Sequence, residues 1–498
     1  MAGTGSPPFF VGWERGVFPP GAVGNGAPPC YTGKKQPGSR CFCRASLQKT
    51  GEFVVANLLL KNALILTMDQ ALTTVQRGYL QIRGDRIAAL GEGEPPFSEE
   101  GYQVLDCSGK IVIPGMINTH NHLPMILFRS LGDDVADRLK RYLFPLENES
   151  LDAPMVRAGA DYAFAELLFG GVTTCYDAYY FEDEVAQAAE ACGIRAVLAE
   201  TILEGPSPSA KEPYGEWEYT KWFVGKWKGH PRITPSVNCH APYSNDTEHL
   251  VAAHDLARRE GLLMSMHVAE MAYEHTGCLE RYGLSPVAYL DSIGILDEHF
   301  LAAHSILMDE ADLDIYQRRG VKVSYNAGSN AKSAKGVAKI RQMLDRGIPV
   351  SLGTDGAMSG NTIDIVTQLS LVGKIQKLFN GDRTLFPARE ILQLATIGGA
   401  RALGMEGEIG SLEVGKKADI AIFETDSVNM SPLYDPYSVI VYSANPGNVE
   451  STIVDGELVM HRRQLRSMDF GAVKARLLGY QEQIRQTAAE LDRALAEG

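Results

Sequence analysis

Ile111-Val112-Ile113-Pro114-Gly115-Met116-Ile117-Asn118-Thr119-His120-Asn121-His122 is an apolar run of strand composition that ends in two histidines one residue apart. Residues i and i+2 of a strand project to the same face, so His120 and His122 can offer two imidazoles to one ion. A pair of this kind also arises by chance in capping or surface positions, so its weight depends on what the rest of the chain supplies. Runs of similar character recur at 172–176, 196–201, 233–239, 263–268, 300–304, 321–325 and 350–354, separated by helical stretches. With 111–117 as the first, they make eight strands over roughly 300 residues. That alternation predicts an α/β fold, a (β/α)8 barrel, in which active residues gather where strands end and loops begin.

The strand ends carry suitable residues. His267 ends the fifth run, with Glu270 three residues on; His304 ends the sixth; Asp355 follows the eighth in Gly353-Thr354-Asp355-Gly356. Each has an ordinary explanation by itself, a histidine capping a backbone group or an aspartate in a turn before glycine. Yet four of the eleven histidines fall at ends that a barrel would bring to one mouth, which points to a metal site built from several strands.

The flanks read differently. Short β-rich runs at 54–60, 63–68, 79–82 and 86–90, the last two around Gly84-Asp85, have counterparts at 419–423, 451–454 and 458–461 around Asp455-Gly456. A small β-sandwich domain is therefore expected from 52–112 and 413–465, with the barrel, 113–412, inserted into it. Over 466–498, Val473, Leu477, Tyr480, Ile484, Ala488, Leu491 and Leu495 keep the three-and-four spacing of an amphipathic helix. That helix is expected to pack on the barrel or on a second subunit of a homo-oligomer.

Residues 1–51 are about one-third Gly or Pro up to position 50 and have almost no acidic residue besides Glu14. They read as a disordered or non-native extension or a targeting segment. Deleting residues up to about Thr50 should leave metal content and turnover unchanged; an unfolded or inactive product would show that the segment covers part of the barrel or an interface.

An apolar share of 45% with 22% charged residues is ordinary for a soluble protein. No window offers the roughly 18 unbroken apolar residues of a membrane span. A net charge of -14 disfavours nucleic acid and anionic lipid, so neither nucleic acid nor membrane is an expected partner and a small-molecule substrate is. Eight scattered cysteines do not make a disulfide framework, which suggests a reducing, cytoplasmic setting. Cys41 and Cys43 lack a second pair at ligand spacing.

Taken in order, PGMINTHNH at 114–122, GGVTT at 170–174, HAPYS at 240–244, HVAE at 267–270, AHS at 303–305, GSNAKSAKG at 328–336, GTDGAMSGN at 353–361 and IGSLEVGKKADI at 409–420 form a specific set. Over about residues 54–465 the chain resembles the amidohydrolase superfamily, in the branch of S-adenosylhomocysteine and methylthioadenosine deaminases, guanine deaminase and triazine hydrolases. The resemblance implies a metal held by His120, His122, His267 and Asp355, with Glu270 and His304 acting beside it and His240 on the substrate ring. It also implies that the loop around Asn330 and Lys332 lines the pocket. Two-metal members carry a bridging lysine on the fourth strand; 233–239 has none, so one divalent ion is expected. Zinc suits three imidazoles and a carboxylate, and iron or manganese tolerates the same ligands.

The implied activity is hydrolytic deamination of a purine nucleoside or related N-heterocycle. Asp355 would take the proton of the attacking water, His304 would orient that water, and Glu270 would protonate a ring nitrogen before ammonia leaves. A triazine-type chlorohydrolase or alkylaminohydrolase is the alternative, since both reactions attack an electron-poor ring carbon. A non-catalytic structural relative would usually have lost ligands, and here all are present. Adenine-nucleoside deaminases of the branch usually carry Glu-Trp-Leu shortly before Pro-x-Glu, with the Glu contacting the ribose hydroxyls. The matching stretch here is Asp137-Arg138-Leu139 before Pro145-Leu146-Glu147. Asp137 is therefore the expected sugar contact, and Arg138 in place of an aromatic wall favours a more polar or anionic substrate or an oxidised heterocycle.

Overall fold

A computed structural model of the chain describes residues 57–497. The extension at 1–51, the Cys41–Cys43 pair, the start of the run at 54 and the side chain of Leu495 lie outside the described residues. The strands are β1 (Asn57–Leu66), β2 (Thr74–Arg83), β3 (Arg86–Glu92), β4 (Tyr102–Asp106), β5 (Lys110–Pro114), β6 (Met116–Asn118), β7 (Val172–Tyr179), β8 (Arg195–Ile202), β9 (Ile233–Pro235), β10 (Val237–Cys239), β11 (Met264–Val268), β12 (Phe300–His304), β13 (Lys322–Tyr325), β14 (Val350–Leu352), β15 (Ile420–Glu424), β16 (Val449–Val454), β17 (Glu457–His461) and β18 (Gln464–Leu465).

Strands β6 to β14 form one all-parallel sheet in the order β14-β13-β12-β11-β10-β8-β7-β6, with β9 also on β8. The segments after β6 and β14 join its two edges: Thr119 N donates to Leu352 O at 3.0 Å, and the amides of Thr354 and Asp355 donate to His120 O at 3.1 Å. Helices separate the strands, giving the (β/α)8 barrel. The fourth strand is interrupted at Ser236, so β9 and β10 together occupy one barrel position. Inside, Ile117, Tyr176, Val197 and Leu301 pack with Ile397, Ala400 and Leu403 of the helix Ile397–Leu403, an apolar plug at one end. Buried hydroxyls follow along the strands: Tyr176 Oη lies 2.6 Å from Ser265 Oγ, and Thr119 Oγ1 lies 2.7 and 2.8 Å from Ser324 and Ser351 Oγ. Each is paired, as buried polar groups must be. Ser265 stands two residues before His267 on the same strand face, so the polar layer leads directly to the histidines.

The other sheet runs β18-β17-β16-β15-β5-β1-β2-β3, with β4 also on β1. It curls until Arg86 of β3 bridges Lys417, just ahead of β15. Leu58, Ile65, Leu80 and Val112 from one end of the sequence and Ile420, Ile422 and Ile453 from the other fill the enclosed core.

Two strand readings need correction. The runs at 54–60 and 63–68 belong to one strand, β1, whose register shifts between Leu60, Ala63 and Ile65 around Asn62 at φ 60°. The run 111–117 is two strands in two sheets. Pro114 donates no backbone hydrogen bond, Gly115 N turns to Asp419 O at 2.8 Å, and a Cβ at Gly115 would stand 2.1 Å from Thr173 Oγ1. The chain therefore crosses from the small sheet to the barrel at that glycine.

After residue 468 there are two helices, Phe470–Gly479 and Gln481–Glu497, where one was expected. Both pack on the barrel's own helices. Arg476 pairs with Asp161 at 3.1 Å, and Asp492 accepts from Arg141 and Tyr142, each at 2.7 Å. Among the described residues no helix is long and apolar enough to cross a membrane.

Candidate metal centre

Four imidazoles and two carboxylates meet at the end of the barrel away from the apolar plug. The donor atoms of His120, His122 and Asp355 lie within 4.8 Å of one another, as do those of His120, His267 and His304 and those of Glu270, His304 and Asp355. His120 and His122 do not sit on a strand as the i, i+2 argument supposed, because β6 ends at Asn118. The following loop turns both rings inward, with centroids 4.9 Å apart.

Backbone carbonyls fix the ring tautomers. His122 Nδ1 is 2.6 Å from Ala178 O, and His267 Nδ1 is 2.7 Å from His240 O. A carbonyl only accepts, so each Nδ1 carries a hydrogen and each ring turns its Nε2 to the cluster. Those two Nε2 atoms are 3.2 Å apart, and His122 Nε2 is 3.5 Å from Asp355 Oδ1. His120 Nε2 is buried with no hydrogen-bond partner among the described residues. Burial, reinforced by the neighbouring histidines, pushes His120 and His267 well below the ordinary histidine range and His240 to about 4. These rings are neutral. Facing lone pairs beside a carboxylate form a donor set that wants a cation between them, and imidazole with carboxylate suits a divalent transition ion.

Asp355 comes three residues after β14 with φ 62°. Ser329 Oγ donates to its Oδ2 at 2.6 Å and Gly356 N to its Oδ1 at 2.7 Å. Burial acts against its charge, but Lys335, His122 and His304 outweigh that and hold the carboxyl well below the usual range. The flanking glycines permit close approach: a Cβ at Gly353 would lie 2.3 Å from Asn326 Oδ1, and one at Gly356 2.4 Å from Met125 Sδ. His304 at φ 70° and Ala269 at φ 52° also adopt left-handed backbone, which costs about 1–3 kcal/mol each and marks a place where side-chain aim outranks local comfort.

His304 donates from Nδ1 to Asn330 Oδ1 at 2.8 Å, leaving Nε2 toward Glu270 Oε1 at 3.5 Å and Asp355 Oδ2 at 3.9 Å. Glu270 is pinned from behind, its own amide and that of Ala269 donating to Glu274 at 2.9 and 2.8 Å. Its carboxylate pairs with the Lys335 ammonium. Burial alone would raise Glu270, but His304 and Lys335 hold it at about 2.

A cavity opens over this cluster. His240, Tyr243, Met271 and Tyr273 line one side, Leu139, Leu143, Phe144, Glu147, Tyr179 and Tyr180 another, and His122, His267, Glu270, Lys335 and Asp355 the base. Three expected substrate contacts fare differently. His240 lines the cavity. Asn330 is 1% exposed and stands behind His304 instead. Asp137 is exposed and outside the lining, whereas its neighbour Arg138 is buried. Lys332 is bound to Asp133 at 2.7 Å. Lys335 and Glu147 also line the cavity; Glu147 ends the quoted Pro145-Leu146-Glu147 stretch, whereas nothing local distinguishes Lys335 from a surface charge.

The amidohydrolase family matches residues 111–459. The chain belongs to this family. It is 38% identical over 425 residues to a 5-methylthioadenosine/S-adenosylhomocysteine deaminase of Syntrophobacter fumaroxidans, covering 85% of this chain and 97% of the relative. Among solved structures, an adenosine deaminase from Xanthomonas campestris with bound zinc superposes with a TM-score of 0.83 at 27% identity, covering 86% of this chain and 98% of that one. An atrazine chlorohydrolase from Arthrobacter aurescens TC1, complexed with zinc, gives 0.79 at 22% identity, covering 85% and 100%, a likeness of fold. This amidohydrolase is thus a hydrolase acting on carbon–nitrogen bonds, of a family that uses a divalent metal.

Proposed function

We propose that this amidohydrolase deaminates a purine nucleoside or related N-heterocycle by hydrolysis and releases ammonia. His120, His122, His267 and Asp355 hold one divalent ion, zinc by preference. The observation that carries the reading is the pair of Nε2 atoms of His122 and His267, 3.2 Å apart beside an ionised carboxylate. Iron and manganese accept the same donors.

Bound by these residues, a divalent ion would lower the pKa of water from 15.7 toward about 7 and so make hydroxide available at neutral pH. The chain's own residues do the rest. His240, on the cavity wall, meets the heterocycle. His304, its other nitrogen held by Asn330, aims Nε2 at the water and steadies the charge that develops on attack. Asp355 takes a proton from the water. Glu270 starts ionised beside Lys335, so it acts first as an acceptor and then delivers the proton to a ring nitrogen. Return of protons through Glu270 and Asp355 lets ammonia depart.

Support for a deaminase over a triazine chlorohydrolase comes from the relatives: the deaminase is 38% identical, whereas the chlorohydrolase shares the fold at 22%. The test is an ammonia-release screen of metal-replete enzyme on adenosine, methylthioadenosine, S-adenosylhomocysteine, guanine, 8-oxoguanine, isoxanthopterin, cytosine and aminotriazines. Release from at least one purine nucleoside or base is expected. Chloride release from a chlorotriazine with no ammonia from any of these would overturn the reading.

A further inference from the structure

Among the described residues, Lys335 is the one lysine or arginine that lines the cavity. Its side chain is 7% exposed, and its ammonium pairs with Glu270 on the cavity floor. The backbone fixes this placement. Ala334 and Gly336 on either side take φ 52° and 118°, and the Lys335 amide donates at 2.9 Å to the carbonyl of Asn330, whose side chain holds His304. Burial acts against the charge, but the carboxylates of Glu270 and Asp355 outweigh it and raise Lys335 above its ordinary value. An ammonium carries three N–H donors, and Glu270 is the one acceptor on it among the described residues. The remaining donors stand at the cavity, and a charged group so placed is costly unless an acceptor completes it.

The position of that acceptor on a bound ring follows from Glu270. In the proposed reaction Glu270 delivers a proton to a ring nitrogen next to the carbon under attack. An ammonium bonded to the same carboxylate lies alongside that nitrogen, within reach of what its two ring neighbours carry. One neighbour is the carbon under attack, and its amino group, conjugated with the ring, is a donor that offers an ammonium nothing. The acceptor therefore belongs on the other neighbour. A carbonyl oxygen there meets the need, and a charge-assisted bond to it is stronger than a neutral one. Adenine has only a hydrogen at that place. Arg138, the residue from which the sequence suggested a polar or oxidised ring, is outside the lining.

We propose that Lys335 selects a heterocycle in which an amino-bearing carbon, a ring nitrogen and a carbonyl carbon follow one another, donating to that carbonyl oxygen while Glu270 serves the nitrogen between. This rests on the deaminase reading of the site and narrows its substrate class to 6-amino-2-oxopurines and 4-amino-2-oxopyrimidines over adenine. A site built to hydrogen-bond a substrate group rejects the analogue that lacks it, because its own donor is then left unpaired.

The test compares isoguanosine with adenosine, which differ by the oxygen next to that nitrogen. Water replaces the amino group of each, giving xanthosine and inosine with one ammonia. The metal-loaded full chain should favour isoguanosine by at least about tenfold in kcat/KM and, in calorimetry, bind xanthosine over inosine by a similar factor. Lys335→Met also disturbs Glu270, but that loss falls on both substrates and cancels in the ratio, which should drop close to one. Lys335→Arg keeps the charge and should retain part of the preference. Metal content and Tm are recorded for every variant. Equal kcat/KM and equal binding by wild type would overturn the proposal, as would a preference that survives in Lys335→Met. Ammonia from adenosine with no preference for either 2-oxo compound sinks Lys335 alone. A binding preference that Lys335→Met abolishes, with no ammonia from either nucleoside, supports the contact and sinks the deaminase reading.

Discussion

Asp355→Ala and His120→Ala should each yield a folded protein that neither retains metal through dialysis nor turns over substrate. Wild type should return close to one equivalent of divalent metal per chain by elemental analysis. Asp355 supplies the one carboxylate of the proposed ligand set, fixed by Ser329 and Gly356 in a left-handed backbone conformation. His120 Nε2 is buried without a partner among the described residues and faces the other donors. Removing a residue that only orients a ligand typically costs 10–100-fold in metal affinity, and removing a ligand itself should cost more than about a hundredfold. Full metal retention in Asp355→Ala would exclude that residue from the ligand set. Two equivalents in wild type, both needed for turnover, would overturn the argument from the lysine missing at 233–239.

The barrel was legible because its strands are buried on both faces and read as short, largely apolar runs between helical stretches. Boundaries were less so. Nothing local in 111–117 reports that Gly115 lies against Thr173, yet that contact is what divides the run between two sheets. The histidines and Asp355 stood out because few other residue types suit an ion, although the reason given for His120 and His122 was wrong in detail: a loop, not a strand, aims them. Wall residues were hardest. Asp137 and Glu147 are both carboxylates in one segment, and only the helix carrying Glu147 and the tyrosine at the end of β7 decide which faces the cavity. Asn330 was expected at the pocket only through the family resemblance of its loop, and its oxygen is occupied by His304. Lys335 reaches Glu270 because Ala334 and Gly336 on either side take φ 52° and 118°, conformations that sequence alone does not announce.

Glu270→Gln should separate metal binding from catalysis. Glutamine keeps the shape of the side chain and leaves His120, His122, His267 and Asp355 untouched, so the metal equivalent should persist. It cannot carry a proton. Removing a positioned acid/base typically costs 10²–10⁴-fold, so turnover should fall by at least about a hundredfold. The Lys335 ion pair complicates the variant, since it leaves a buried ammonium without its counter-charge. Tm should drop for that reason alone, and Glu270→Gln with Lys335→Met is the control: it should recover Tm and leave turnover as low as in the single variant. If turnover returned with Tm, the loss would belong to the stranded lysine. If Glu270→Gln alone kept near-normal turnover with its metal in place, proton delivery would have to be assigned elsewhere, and Lys335 and His304 are groups within reach.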